Sequence, residues 1–170
     1  MYIGINNCRS VNILVKVLFV CLGNICRSPM AEAMFRDLVK REGLEKLITI
    51  DSAGTGDWHI GQIPHQGTRA LLDEKGISYE GMQARQFTAN DYEQFQYIIG
   101  MDESNIKNMK KFLKGNSNAF VTRLLDLVPT AKNKDVPDPY FTGNFEEVYN
   151  LVNEGCQQLL EKIKREHQIK

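Results

Sequence analysis

Cys21 and Arg27, separated by five residues in the stretch Cys-Leu-Gly-Asn-Ile-Cys-Arg-Ser, are the pair in this sequence best suited to covalent chemistry. A thiolate is a strong nucleophile, and a guanidinium presents a planar fork of N–H donors that can hold two oxygens of a phosphate at once. The turn over residues 22–26 (Leu22, Gly23, Asn24, Ile25 and Cys26) can aim successive backbone N–H groups into one concavity. A helix starting just beyond it adds unpaired donors and partial positive charge. Such a cradle favours an anion, whether a phosphate or the Cys21 thiolate itself. Gly23 is expected to give the turn its backbone freedom, Ser28 to cap the helix and Pro29 to be its first helical residue.

Attack of a thiolate on phosphorus expels an alcohol or phenol that needs a proton, so the chain should also carry an acid. The stretch Asp-Val-Pro-Asp-Pro-Tyr-Phe at 135–141 supplies one: its prolines stiffen a loop that can hold Asp138 over the cradle, beside the rings of Tyr140 and Phe141. Other phosphate signatures are missing, since the chain has neither G-x-x-x-x-G-K-[ST] nor G-x-G-x-x-G. No metal or other cofactor is expected. Cys21 and Cys26 have no second ligand pair at zinc spacing, and the histidines, His59, His65 and His167, are scattered.

The elements that must position these groups alternate in period. Residues 16–21 form a β-branched apolar run that stops at Gly23, as a buried parallel strand does. From Pro29 onward Met30, Ala33, Met34 and Leu38 recur at helical steps, and Gly43 follows the end. The same alternation predicts strands over 47–53, 97–101 and 119–124, a helix over 67–75 stopped by Gly76, and a long closing helix over 145–165. Strands separated by helices imply an α/β fold: a parallel sheet with helices on both faces and the phosphate-binding loop between the first strand and the first helix.

A chain of 170 residues fits one domain. Its 21 Lys plus Arg balance its 21 Asp plus Glu, which gives no general electrostatic case for nucleic acid or an anionic membrane as partner. The Lys-rich stretches at 107–114 and 162–170 read as solvated helix faces. Four sparse cysteines, Cys8, Cys21, Cys26 and Cys156, do not resemble a secreted disulfide framework, so a reducing cytoplasm is expected. Asn12 and Lys16 interrupt the apolar stretch at 11–21, which argues against a cleaved signal, and no run reaches the ~20 apolar residues of a membrane helix.

Four stretches in order resemble the low-molecular-weight protein tyrosine phosphatases: Val-Cys-Leu-Gly-Asn-Ile-Cys-Arg-Ser-Pro-Met-Ala-Glu-Ala at 20–33, Asp-Ser-Ala-Gly-Thr at 51–55 with Trp58 after it, Met-Asp-Glu-Ser-Asn at 101–105, and Val-Pro-Asp-Pro-Tyr at 136–140. The resemblance implies a four-stranded parallel sheet flanked by helices, and hydrolysis of protein phosphotyrosine through a cysteinyl-phosphate. It implies Cys21 as nucleophile, Arg27 as phosphate clamp and transition-state stabiliser, and Asp138 as general acid and then base. Asn24, Ser28 and Ser52 would support the loop, with the Ser28 hydroxyl on the thiolate. Trp58, Tyr140 and Phe141 would wall the substrate cleft, Phe141 standing where many members carry a second tyrosine. Cys26 would protect an oxidised Cys21 by forming a disulfide.

By the same resemblance the phosphatase domain covers 16–166, residues 1–15 are an N-terminal extension and 167–170 a tail. Phosphotyrosine-containing proteins would be the partners of a monomer or weak homo-oligomer. Two relatives on this scaffold fit less well. Protein arginine phosphatases typically carry threonine where this chain has Ile25. Thiol-linked arsenate reductases need a resolving cysteine pair that residues 80–95 lack. A non-catalytic phosphate-binding module would require a broken nucleophile or acid, yet Cys21, Arg27 and Asp138 are all present.

Overall fold

The computed structural model describes residues 14–170. Most of the expected extension over 1–15, including Cys8, lies outside the described residues, but Val15 already belongs to the first strand, β1 (Val15–Cys21). Four parallel strands form one sheet in the order β2-β1-β3-β4, where β2 is Ile48–Gly54, β3 is Tyr97–Gly100 and β4 is Phe120–Arg123.

The composition of β1 explains its central place. Val15, Val17, Phe19 and Cys21 point into one core with Met30, Met34, Val152 and Leu159, while Leu18 and Val20 point into another with Phe87, Ile98 and Met109. A strand apolar on both faces has to be covered on both. Helices α1 (Arg27–Arg41), α2 (Gln66–Glu74) and α6 (Phe145–His167) pack over the first core. The short α3 (Asp91–Gln94) and α4 (Glu103–Lys110) cover the second. A 3₁₀ turn, Leu124–Leu127, and the four-residue α5 (Pro139–Thr142) complete the chain.

With neighbours on both sides, β1 delivers its carboxyl end to the point where the connections diverge, β2 on one side and β3 on the other. Ligands of open α/β sheets bind at such a switch point. Cys21 is the last residue of β1.

Candidate active site

The loop from Cys21 to Arg27 is shaped by its surroundings. Its carbonyls are held from outside: Thr55 N–H donates to Cys21 O, Gly56 N–H to Leu22 O and His65 N–H to Ile25 O, at 2.7–2.9 Å. None of the amides of residues 22–26 donates to another backbone group among the described residues. With carbonyls outward and amides free, the loop is the anion cradle that the sequence suggests.

Three local expectations need correction. Gly23 is not the residue with unusual backbone; Asn24 is, at φ 55°, in the left-handed region that asparagine tolerates. Gly23 instead makes room, because a Cβ there would lie 3.0 Å from the His59 ring. Nor does Ser28 cap the helix or Pro29 begin it. Helix α1 starts two residues earlier, at Arg27, its N-cap Cys26 makes no side-chain cap, and the Ser28 hydroxyl turns inward to lie 2.9 Å from Cys21 Sγ.

The proton directions around Cys21 follow from the hydrogen bonds. Arg85 N–H donates to Asn24 Oδ1 (3.0 Å), so the other end of that amide, Nδ2, faces Ser28 Oγ (2.8 Å) and Ser52 Oγ (2.9 Å) and donates to both. Ser28 Oγ is then an acceptor from Asn24, and its own proton is free to point at Cys21 Sγ. Ser52 correspondingly gives its proton to Glu32 Oε1 at 2.7 Å. Burial pushes the Glu32 carboxyl above its usual range, against the pull of Arg36, which pairs with it at 2.7 Å.

Arg27 is almost wholly buried, and its two edges differ. Nη1 is anchored to Asp102 Oδ2 (2.6 Å) and to the Val136 carbonyl (3.0 Å). Nε is buried with no partner, and Nη2 makes only a 3.4 Å contact with Asp138 Oδ2. The Nε/Nη2 edge therefore has its donors to spare, in the geometry that takes two oxygens of a phosphate. Burial works against the guanidinium charge, but Cys21, Asp102 and Asp138 outweigh it and hold the group above its ordinary value.

Asp138 caps α5: its Oδ1 accepts Tyr140 N–H at 3.1 Å, with Pro139 at the first helical position and Gly143 at φ 72° closing the turn. That short turn sets the aromatic wall. Tyr140 stands edge-on to His65 (6.0 Å) and to Phe141 (5.4 Å). Trp58, Tyr140 and Phe141 keep 67, 56 and 77 % of their surface exposed, so their faces remain available to a ligand.

Between them lies a cleft of about 130 Å³ lined by Cys21, Leu22, Gly23, Ile25, Cys26, Arg27, Trp58, His59, Asp138, Tyr140 and Phe141. Asn24, Ser28 and Ser52 sit behind this surface and do not line it. Burial, with the charges of Cys21 and Asp138, pushes the Cys26 thiol up to about 12, so it stays protonated at neutral pH.

Sequence reasoning missed four contributors. Asp102 caps α4 through a box with Asn105, a signal legible as Asp-x-x-Asn, yet nothing in the sequence connects it to Arg27 seventy-five residues away. Glu32, Arg85 and His59 likewise reach the site through tertiary contacts.

Comparison with known proteins gives a consistent result. Residues 16–169 match the family model described as low molecular weight phosphotyrosine protein phosphatase. The low molecular weight protein-tyrosine-phosphatase YfkJ of Bacillus subtilis is 53 % identical over 156 residues, covering 92 % of this chain and 100 % of YfkJ. The crystal structure of YfkJ from Bacillus subtilis superposes with a TM-score of 0.87 at 54 % identity, over 90 % of this chain and 96 % of that one. The crystal structure of DARP, the drosophila arginine phosphatase, superposes with a TM-score of 0.81 at 33 % identity, over 88 % and 98 %.

Proposed function

Because this chain belongs to the low molecular weight phosphotyrosine protein phosphatase family, we propose that it hydrolyses phosphotyrosine in proteins through a covalent cysteinyl-phosphate. One observation carries the assignment of roles: a single cleft presents Cys21, Arg27 with its Nε unpartnered, Asp138 and a wall of exposed aromatic rings.

In the first step Cys21 Sγ attacks phosphorus, the bond to the phenolic oxygen breaks, and Asp138 gives that oxygen its proton. The loop amides and the Nε/Nη2 edge of Arg27 hold the equatorial oxygens, where charge spreads in the transition state. In the second step the Asp138 carboxylate takes a proton from water, the water oxygen bonds to phosphorus, and Cys21 leaves as the thiolate. The Ser28 hydroxyl stabilises that thiolate as nucleophile and as leaving group. Asn24 and Ser52 fix the Ser28 orientation, while Trp58, Tyr140 and Phe141 flank the phenyl ring.

Cys26, protonated and beside the nucleophile, serves as the resolving thiol: a sulfenic acid on Cys21 condenses with it to a disulfide, releasing water. We place the enzyme in the cytoplasm as a monomer or weak homo-oligomer with protein substrates and no nucleic-acid or membrane partner. Among the described residues no helix is long and apolar enough to cross a membrane.

The arginine phosphatase reading shares the scaffold, as the likeness to the drosophila enzyme illustrates. Ile25 in the cleft and the three exposed rings favour an aryl ester. Phosphate release from matched phosphotyrosine, phosphoserine and phosphoarginine peptides, with Cys21→Ser beside the wild type, separates the readings. Turnover of phosphotyrosine alone, lost in the variant, is expected; preference for phosphoarginine would overturn the proposal.

A further inference from the structure

A second groove, of about 290 Å³, adjoins the cleft and shares Leu22 and Trp58 with it. A polypeptide whose phosphotyrosine enters the cleft must run its neighbouring residues across this rim, and the groove lies on one side of it. Thr55, Gly56, Asn108, Lys111 and Phe112 line the rest, with one cation and no acidic residue. The groove beside Arg69, by contrast, contains Glu80 and shares nothing with the cleft.

Two independent observations point to a ligand. Thr55 retains only 8 % of its surface, and its hydroxyl is buried without a hydrogen-bond partner, an arrangement that costs free energy unless something completes it. Lys111 sits at the C-cap of α4, close to Lys107, Lys110 and Lys114 in sequence. The lysine ion pairs among the described residues involve Lys75, Lys162 and Lys164, and none of these four. Lys107 and Lys110 complement the carbonyl end of their helix. Lys111, at the C-cap, complements that end as well, and it alone of the four also lines the groove. In a chain of zero formal net charge, Lys111 gives the groove a local positive charge beside the substrate entrance.

We propose that the groove receives an Asp or Glu side chain adjacent to the phosphotyrosine of the substrate polypeptide. The carboxylate pairs with Lys111, Asn108 and Thr55 supply hydrogen-bonding groups, and the rings of Trp58 and Phe112 cover the methylene stem. This deepens the phosphotyrosine reading and rests on it. The stretch 107–114, which the sequence presents as a solvated face, thereby gains a role in selecting substrates.

The test compares kcat/KM for phosphotyrosine peptides carrying Asp or Asn immediately before or after the phosphorylated residue, in wild type, Lys111→Ala and Lys111→Glu, with p-nitrophenyl phosphate as a substrate too small to reach the groove. The wild type should prefer Asp on one side by about two- to fivefold, the worth of one exposed ion pair, and less at high salt. Lys111→Ala should erase that preference and Lys111→Glu reverse it, with p-nitrophenyl phosphate turnover unchanged. A wild type indifferent to Asp on both sides, or a preference surviving in Lys111→Ala, would overturn the inference while leaving the phosphatase assignment intact. Turnover of p-nitrophenyl phosphate without any phosphotyrosine peptide would overturn both.

Discussion

The orientation of one side-chain amide governs the protons at Cys21. Because Arg85 N–H needs an acceptor, Asn24 must give it Oδ1 and turn Nδ2 to the two serines, which leaves the Ser28 proton for sulfur. Ser28→Ala removes a hydrogen bond to a charged group, and such bonds are worth about 1.5–3 kcal/mol. It should therefore lower kcat by roughly ten- to a hundredfold, measured on an aryl phosphate in the steady state. Asn24→Asp is nearly isosteric but has no donor for either serine, and should be at least as damaging. At Cys26 the sign of the linkage is set by a thiol raised to about 12. Between the ordinary cysteine value near 9 and about 12, the unfolded chain gives up this proton while the folded chain keeps it. Stability therefore falls as pH rises through that window and is unaffected by this group below it. Denaturation midpoints taken from pH 8 to 11 should decline less steeply in Cys26→Ser than in the wild type.

At the scale of elements, the acid loop is fastened to its neighbours by a clasp the sequence does not advertise. Asp135 Oδ1 accepts Glu103 N–H (2.9 Å) and Arg123 Nη1 (3.3 Å), Arg123 also grips Asp126 (3.0 Å), and Val136 N–H reaches Met101 O (2.9 Å). These contacts join the segment before Asp138 to the residue that follows β3, to α4 and to β4. Asp138→Ala should slow hydrolysis of aryl phosphates with poor leaving groups far more than those with good ones, because only the former need the proton. Asp135→Ala should show the same trend several-fold more weakly, since it loosens the acid without removing it. Equal losses across a leaving-group series would deny both roles. The elements themselves were largely legible: each of the four strands and the helices α1, α2 and α6 lies where hydrophobic period and Gly stops put it, with ends displaced by one or two residues. Short pieces such as α3 and α5 carry too few residues for a period to register. Asp138, Tyr140 and Phe141 were legible because Asp-Pro fixes a local turn. Asp102, Arg85 and Glu32 were not, because their partners are brought to them only by the folded sheet.

Across the whole molecule, the catalytic pole at the carboxyl ends of the strands is balanced by a closure at the opposite end. The closing helix runs two residues beyond the expected 165, to His167. There the Tyr97 hydroxyl donates to Glu166, which can only accept, so its contact with His167 Nε2 (3.0 Å) requires the ring to donate to the phenol oxygen. Burial, with the bond to Glu166, drives the Tyr97 hydroxyl above its ordinary range. Tyr97→Phe should lose about 1–2 kcal/mol of stability and leave kcat unchanged, since this contact lies at the start of β3 and Cys21 at the end of β1. Midway along α6, Gly155 abuts the fully buried Leu124, and a Cβ there would fall 2.3 Å from its side chain. Gly155→Ala should cost about 1–3 kcal/mol through overpacking, read as a lower melting temperature. The central claim, that all of this scaffolding serves one covalent step at Cys21, is tested most directly by acid-quenching the enzyme during turnover of a phosphotyrosine peptide and mapping the trapped phosphate by mass spectrometry. The account predicts phosphate on the peptide containing Cys21, accumulating further in Asp138→Ala with a good leaving group and absent in Cys21→Ser. Turnover in the Cys21→Ser variant, or phosphate trapped on any other residue, would contradict it.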